Sequence, residues 1–353
     1  MTSKERVKAV FNHDIPDRVP KHEELWADTI EKWHSQGMPR GIDIVDYFNL
    51  DISHTTGINQ EIYPFRNEII QENDEWIIEK NGYLETVKRW KHKTSSKEFI
   101  DNDIKDRRLW NELKGLLKPS EDRVDLAGIR RSIINYENMQ KYNAFCIVGL
   151  WEQAKHILGF QNALENMAFD AEWISDIFIT FTDLILGCYR IIEDNNMKFD
   201  CIWIWDDLAY NKGMFFSPDM YRRILMPCYV KMFDYFHKRG MKIVFHCCGY
   251  VEKIIGLLKE TGIDCLQALE AKTGIDLPKV KSTHRDLVFM GNIDCTVLIT
   301  NDREKIEREI KYKMLNCKKG GNYIYHSDHS IPPEVDLKTM RYIFELVDFY
   351  GRY

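Results

Sequence analysis

The stretch Met241-Lys242-Ile243-Val244-Phe245-His246-Cys247-Cys248-Gly249-Tyr250 combines a strand, a turn and two metal-binding residue types. Its apolar start is typical of a buried strand, the glycine marks a turn, and residues 251–260 have a helical pattern. His246 and Cys248 are two positions apart, so their side chains lie on the same side of an extended backbone. Both can therefore reach one ion, whereas Cys247 is expected to point the other way and to be structural.

The same alternation of strand and helix runs from residue 143 to the end of the chain. It predicts six apolar strands, at Ala144–Leu150, Cys201–Trp205, Lys242–His246, Cys265–Leu269, Leu287–Met290 and Tyr323–Tyr325. The predicted helices cover residues 161–170, 171–193, 217–239, 251–261, 302–316 and 336–349. Buried strands that alternate with helices indicate a parallel sheet. With a short first strand after residue 20, the pattern approaches the eight strands of a (β/α)8 TIM barrel, an α/β fold whose active site lies at the C-terminal strand ends.

We predict that residues 1–353 form a single (β/α)8 barrel domain with an N-terminal helical extension. The extension begins with a helix at Ser3–Phe11 and continues with a helical segment over residues 24–40. A less regular, charged insertion at about 50–140 is expected to cover one face of the barrel. Within it, Asn81-Gly82 lies between two apolar runs and predicts a β-hairpin.

The composition is that of an ordinary soluble protein, with 353 residues, a formal net charge of -6 and 44% hydrophobic residues. The chain has no basic block, which argues against nucleic-acid binding. Its most apolar window, residues 174–186, contains Asp176 and Asp183 and is too short to span a membrane. The nine cysteines are scattered, which indicates reduced thiols, and the charged N-terminus lacks an apolar signal region. We therefore expect a cytoplasmic protein.

Polar residues follow the predicted strands at the end of the barrel where its chemistry takes place. His246, Cys248, Glu270 and one of Asp328 or His329 form a reasonable zinc-binding set, because zinc accepts thiolate, imidazole and carboxylate ligands. The competing interpretation of His246 is a core histidine that is hydrogen-bonded to a backbone carbonyl.

Asp206 and Asp207 are candidates for catalytic acid–base work, for holding a cationic group or for orienting a metal ligand. A capping and turn role is the alternative, although Ser217-Pro218-Asp219 already supplies a cap for the helix that follows. The candidate substrate pocket comprises His22, Trp151, Tyr210 and Phe215, and its aromatic members could instead belong to the core.

Five motifs together resemble the uroporphyrinogen decarboxylase superfamily. They are Arg6 with Asp17-Arg18-Val19-Pro20, Asp206-Asp207 with Ser217-Pro218-Asp219-Met220-Tyr221, Phe245-His246-Cys247-Cys248-Gly249, Gly291-Asn292-Ile293-Asp294 and Ile331-Pro332-Pro333. The resemblance extends over nearly the whole chain and is weakest from 50 to 140. It implies a (β/α)8 barrel.

The resemblance is closer to the corrinoid-dependent methyltransferases than to the decarboxylases. Decarboxylases carry an arginine-rich segment that holds substrate carboxylates, whereas this chain has Lys21-His22-Glu23-Glu24-Leu25-Trp26 there. The methyltransferase branch implies zinc held by His246 and Cys248, and the related cobalamin-independent methionine synthases add a glutamate, which Glu270 matches. The last ligand of the methyltransferase branch is a cysteine, for which this chain offers His329, our preferred ligand, or Asp328. Fewer thiolates leave a bound zinc ion more electrophilic, which favours polarising an ether, hydroxyl or amine leaving group.

The sequence thus predicts a zinc-dependent methyltransferase. It would move a methyl group between a small donor, for which an aryl methyl ether is one candidate, and the cobalt of a separate corrinoid protein. The corrinoid would come from that partner, because no cobalamin-binding module is visible in the chain. Two alternatives are a metal-free decarboxylase like uroporphyrinogen decarboxylase and a non-catalytic corrinoid-binding protein. The methyl donor, the direction of transfer and the oligomeric state are left open.

Overall fold

Seven parallel strands form the central sheet of the computed structural model, which describes residues 1–353, except for the side chains of residues 94–96. In spatial order, the strands are Ile52–Thr55, Tyr142–Val148, Cys201–Trp205, Lys242–Cys247, Cys265–Ala268, Val288–Gly291 and Tyr323–Ile324. Each strand pairs in parallel with the next strand in this order. The seven strands are almost entirely buried. The predicted parallel sheet and its six strands are therefore confirmed.

The segment around Lys21 bridges the two edges of this sheet. The His22 N–H donates to the Tyr325 carbonyl (3.0 Å), and Lys21 forms a parallel bridge with the same residue. On the other side, the Asp51 N–H donates to the Lys21 carbonyl (2.8 Å). These contacts place the segment in the eighth position and complete the predicted barrel.

Helices follow the strands and pack around the outside of the barrel. After the first strand position they are Ala27–Ser35, Ile44–Tyr47, Arg107–Leu113, Leu126–Asn138, Leu150–Leu158, Phe160–Phe169, Ala171–Asp194, Pro218–Met220, Met226–His237, Ile255–Thr261, Leu277–Thr283, Cys295–Leu298, Arg303–Cys317 and Leu337–Tyr350. A π-helical turn, Tyr221–Leu225, interrupts the predicted helix at 217–239. None of the helices in the described chain is long and apolar enough to cross a membrane.

The insertion is more regular than the sequence predicted. It contains a four-stranded antiparallel sheet of Asn67–Glu72, Trp76–Asn81, Glu85–Trp90 and Lys93–Asn102. The predicted hairpin is confirmed by the pairing of Lys80 with Thr86. The Asn102 side-chain amide donates to the His156 carbonyl (2.7 Å), which attaches the sheet to helix Leu150–Leu158 at the C-terminal end of the barrel.

Alternate residues of the strands fill the barrel interior in layers. The lower layers are apolar and include Ala144, Cys146, Cys201, Trp203, Val244, Cys265, Val288 and Ile324. Helix Ser3–Phe11 closes this end, where Phe11 stacks on Tyr142 at a ring distance of 5.5 Å. The cysteines among these residues act as small buried apolar side chains, and the interior becomes polar only towards the C-terminal strand ends.

Candidate functional site

The same two-residue period brings polar side chains together at the upper end of the barrel. Trp205 is in register with His246, and His246 with Gln267, on three adjacent strands. Residues in parallel register on one face of a sheet lie side by side. Trp205, His246 and Gln267 therefore form part of a polar layer above Trp203.

Three potential metal ligands converge at this layer. His246 Nε2 lies 3.4 Å from Cys248 Sγ and 3.5 Å from Asp207 Oδ1. Gln267 Oε1 contacts the other ring nitrogen of His246, Nδ1. Since an amide oxygen only accepts, Nδ1 carries a proton, and Nε2 is the ring nitrogen that faces Cys248 and Asp207.

These distances fit a tetrahedral zinc ion. With zinc–ligand bonds of 2.0–2.3 Å, tetrahedral geometry places neighbouring ligand atoms about 3.3–3.8 Å apart. Imidazole, thiolate and carboxylate are all ordinary zinc ligands. His246, Cys248 and Asp207 would hold the ion. Asp207 was predicted as a catalytic group, but its position makes it a candidate ligand.

The charges at the site depend on these close contacts. Burial lowers the pKa of the His246 imidazole, but Cys248 and Asp207 raise that pKa well above its ordinary value. Burial opposes ionisation of Asp207, and the contact with His246 outweighs this effect and lowers its pKa. Burial raises the pKa of the Cys248 thiol. Cation binding would displace the proton of Cys248, as metal binding to thiols generally does.

The remaining predicted ligands are not part of the cluster of Asp207, His246 and Cys248. Glu270 is buried, contacts Lys272 at 3.4 Å, and its charge is among those that raise the pKa of Cys248, after burial. His329 packs its ring edge-on against Trp26 at 5.6 Å. Asp328 accepts the backbone N–H groups of Ala271 and Cys295, both at 3.0 Å, and so joins two loops. This use of both oxygens favours His329 over Asp328 as a ligand.

The structure gives Asp206 a different position from the one predicted. It has no exposed surface, and its carboxylate accepts the N–H groups of Trp151 (3.3 Å) and Glu152 (2.8 Å) and the hydroxyl of Tyr229 (2.5 Å). It therefore caps helix Leu150–Leu158, which the sequence analysis had not predicted, rather than facing a pocket. Burial and the nearby Glu152 raise the pKa of Asp206 to about 7.

A cavity of about 450 Å³ is lined by Trp205, the strand neighbour of His246. Its polar wall contains His22, Glu23, Glu24, Asp43 and His54, and its apolar wall contains Leu25, Ile30, Ile44, Val45, Leu50, Tyr136 and Trp205. Trp205 Nε1 donates to Glu24 Oε1 (3.2 Å), and His54 Nδ1 lies 3.3 Å from the same oxygen. Burial opposes ionisation of Glu24, but the contact with His54 lowers its pKa. The cavity thus has one acidic, histidine-rich end.

The predicted pocket residues separate into three positions. His22 lines the cavity, as the sequence analysis proposed. Trp151 is fully buried and packs against Phe216 (ring distance 4.9 Å), so it belongs to the core. Tyr210 is 45% exposed and stacks on Phe215 at 5.7 Å, which places both on an aromatic rim outside the cavity lining.

Several site residues were not singled out from the sequence. They are Glu24, His54, Trp205, Gln267 and His326. Gln267 and Trp205 could have been found from the two-residue period of their strands, because both occupy inward positions near a C-terminal end. His54 could not, because its strand, Ile-Ser-His-Thr, has little apolar character.

Comparisons with known proteins agree with the fold. Over its full length the chain is similar to a methyltransferase from Methanosarcina mazei, with a TM-score of 0.72, 16% identity and coverage of 99% of both chains. It is 33% identical over 93 residues to uroporphyrinogen decarboxylase of Rickettsia africae, and 32% identical over 90 residues to that of Rickettsia canadensis. Each of these alignments covers 26% of this chain and 25% of the relative, so the chain spans about a quarter of the length of these curated relatives.

The family assignment depends on a longer match. The model of the uroporphyrinogen decarboxylase (URO-D) family matches residues 149–350, which include the His246–Cys248 strand end and the last strand and helix. This is more than half of the chain. The protein belongs to the uroporphyrinogen decarboxylase (URO-D) family.

Proposed function

We propose that this protein is a zinc-dependent methyltransferase. It would transfer a methyl group between a small methylated donor and the cobalt of a separate corrinoid protein. The observation that carries the proposal is the convergence of His246 Nε2, Cys248 Sγ and Asp207 Oδ1 at the C-terminal end of the barrel. The full-length similarity in fold to a protein described as a methyltransferase supports it.

In this proposal, His246, Cys248 and Asp207 hold zinc, and Glu270 or His329 completes the ligand set. A bound zinc ion with a single thiolate ligand would supply Lewis acidity towards the heteroatom that carries the methyl group. Gln267 keeps the His246 ring in the tautomer and orientation that direct Nε2 towards the ligands. Asp206 has a positioning role, because it fixes the start of the helix next to Asp207.

The cavity would hold the methylated donor, since it is lined by Trp205, which is in register with His246 on the adjacent strand. Its aliphatic and aromatic wall suits an apolar body, such as the ring of an aryl methyl ether. Tyr210 and Phe160 are exposed and both contact the half-buried Phe215, with the Phe160 ring 4.9 Å from that of Phe215, so the three form an aromatic rim. We assign this rim to the docking of the corrinoid partner.

The decarboxylase alternative is less well supported by the cavity. A polycarboxylated substrate needs cationic side chains, whereas the residues at the corresponding place are Glu23 and Glu24. Burial raises the pKa of Glu23 to about 8, which favours its neutral form. Neither the neutral nor the ionised carboxyl group of Glu23 supplies a positive charge. An acidic wall would repel such a substrate.

Metal analysis of the purified protein tests the zinc site. We expect one zinc ion per chain, and its loss in His246→Ala and Cys248→Ala. Cys247→Ala is the matched control, because Cys247 is adjacent in sequence but contacts the backbone N–H of Leu208 instead. Asp207→Ala, Glu270→Ala and His329→Ala then identify the other ligands. Absence of stoichiometric zinc from carefully purified protein would overturn the metal site.

Methyl transfer to cob(I)alamin tests the activity. Donors with ether, amine and thioether methyl groups would be compared with the zinc-loaded protein and with Cys248→Ala. We expect formation of methylcobalamin from at least one donor by the wild-type protein, and a loss of at least about 100-fold in the variant. Zinc-loaded protein that transfers no methyl group from any of the three donor classes would contradict the proposal.

A further inference from the structure

Two histidines at the acidic end of the cavity have unused hydrogen-bonding capacity. The rings of His22 and His54 are 4.3 Å apart, and both line the cavity. Within the part of the chain that the structure describes, Nε2 of each ring is buried and has no hydrogen-bond partner. Buried polar atoms are normally paired, so these two nitrogens point to a ligand.

The other nitrogen of each ring defines the chemistry of Nε2. His22 Nδ1 lies 3.0 Å from the Ile52 carbonyl, which can only accept, so Nδ1 carries the proton. His54 Nδ1 faces the Glu24 carboxylate at 3.3 Å in the same way. Burial and the neighbouring His54 hold the pKa of His22 well below its ordinary value, which keeps this ring neutral. A neutral ring with a proton on Nδ1 presents a lone pair at Nε2.

The surroundings decide which group this end of the cavity accepts. A carboxylate would face the Nε2 lone pair of His22 and the Glu24 carboxylate, both of which repel a negative charge. A metal ion would need the two nitrogens and a third ligand within mutual reach. Among the described residues, the only such group is Asp207, His246 and Cys248. An ammonium group would compete with His54 and Trp205 for Glu24 Oε1, which both already contact.

We infer that His22 and His54 bind a neutral hydroxyl group of the ligand, which donates to His22 Nε2, and that this end of the cavity excludes carboxylates. The ligand would be a small apolar ring or chain that carries a free hydroxyl. The inference rests on the proposed function only in taking this ligand to be the methylated donor.

Calorimetric binding of three small probes tests this inference. Phenol offers a hydroxyl donor, anisole has the same ring without a donor, and benzoate has a carboxylate. We expect phenol to bind about fivefold more tightly than anisole, the value of one net hydrogen bond, and benzoate to bind more weakly than either. Binding is measured without zinc, corrinoid or turnover, so a failure here is distinguishable from a failure of methyl transfer.

A double variant identifies the acceptors. In His22→Phe/His54→Phe, phenol and anisole should bind alike, whereas in the control His284→Phe, at the opposite end of the barrel, the fivefold preference should persist. If the double variant does not fold, imidazole ¹⁵N NMR of the wild-type protein replaces it. Phenol should then shift the unprotonated Nε2 resonance of His22, and anisole should not. Equal binding of phenol and anisole, tighter binding of benzoate, or no binding of phenol would overturn the inference.

Discussion

Ser327 and Glu23 share a hydrogen-bond arrangement that requires a neutral carboxyl group. Ser327 Oγ lies 2.5 Å from both Glu23 Oε1 and the His329 carbonyl oxygen. The hydroxyl has one proton and the carbonyl has none, so the second hydrogen bond needs a proton from Glu23. Burial raises the pKa of Glu23 to about 8, in agreement with this count.

The protonated state of Glu23 predicts a pH-dependent stability. A carboxyl whose pKa is higher in the folded than in the unfolded protein stabilises the fold at low pH, and this contribution is lost as pH rises through the folded-state value. The free energy of unfolding of the wild type should therefore fall between about pH 5 and 8, by up to ~1.4 kcal/mol per pH unit. Glu23→Gln, which is neutral at every pH, should show a smaller fall in urea titrations, because it loses the contribution of Glu23 and keeps that of Asp206, whose pKa burial raises to about 7.

Glu98→Gln is the control, because Glu98 lies on an exposed strand of the insertion. Its stability should follow the wild-type pH profile. Parallel curves for wild type and Glu23→Gln would show that Glu23 is charged at neutral pH.

Single site residues could be predicted from the sequence where their spacing along one strand brings them together. The spacing of His246 and Cys248 places both on one side of a strand, and the structure brings them within 3.4 Å. The capping of helix Leu150–Leu158 by Asp206 could not be located in this way, because its hydrogen-bond partners, Trp151 and Tyr229, are more than twenty positions away in the chain. Such contacts follow from strand order and leave no trace in local spacing.

At the level of elements, the junction at Gly149 shows how closely a strand and a helix approach. A Cβ atom at residue 149 would lie 2.3 Å from Asp206 Cβ. The missing side chain of Gly149 lets Asp206 reach the first N–H groups of helix Leu150–Leu158. Substitution would separate the two strand ends that carry Glu152 and Asp207.

Gly149→Ala should therefore destabilise the protein by about 1–3 kcal/mol, the usual cost of overpacking a buried site. Gly256→Ala is the matched control, because that glycine lies in helix Ile255–Thr261 and a Cβ there would meet nothing within 4 Å. The control should be stabilised by ~0.5–1 kcal/mol, since alanine is the better helix former. Urea unfolding measures both, and an equal effect of the two substitutions would contradict this account.

The elements that sequence reasoning found were those with long, regular apolar patterns. The strands after residue 143 and the long helices at Ala171–Asp194 and Leu337–Tyr350 lie close to their predicted limits. Strand Ile52–Thr55 and helix Leu126–Asn138 were missed inside the insertion. Ser53 is buried there because it donates to Asn143 Oδ1 (2.8 Å) on the next strand, so a polar residue occupies a core position. Periodicity alone cannot show such a pairing.

At the scale of the whole molecule, Asp51 joins the N-terminal segments to the barrel. Its fully buried carboxylate contacts the guanidinium groups of Arg6 (2.7 Å) and Arg18 (2.8 Å) and accepts the backbone N–H of Lys21 (2.8 Å). The same residue donates its own N–H to the Lys21 carbonyl. One acidic side chain therefore holds the closing helix Ser3–Phe11 and the eighth strand position together.

Asp51→Ala should destabilise the protein by about 3–5 kcal/mol, because it leaves the buried guanidinium group of Arg6 and the half-buried one of Arg18 without their shared partner. Asp103→Ala is the control, since Asp103 forms an exposed pair with Lys80 at 2.8 Å and such pairs contribute about 0–1 kcal/mol. Thermal and urea unfolding measure the difference. A loss no larger than that of the control would mean that the arginines find other partners when Asp51 is removed.

The position of Lys21 next to Tyr325 determines when the barrel can close during synthesis of the chain. Roughly 300 residues separate the two neighbours, so at synthesis rates of 5–20 residues per second Lys21 is made roughly 15–60 s before Tyr325. Until then, the ring cannot close and the polar layer that carries His22 is open to water. The N-terminal segment must wait for the last strand, so the ligand-binding cavity is completed only near the end of translation.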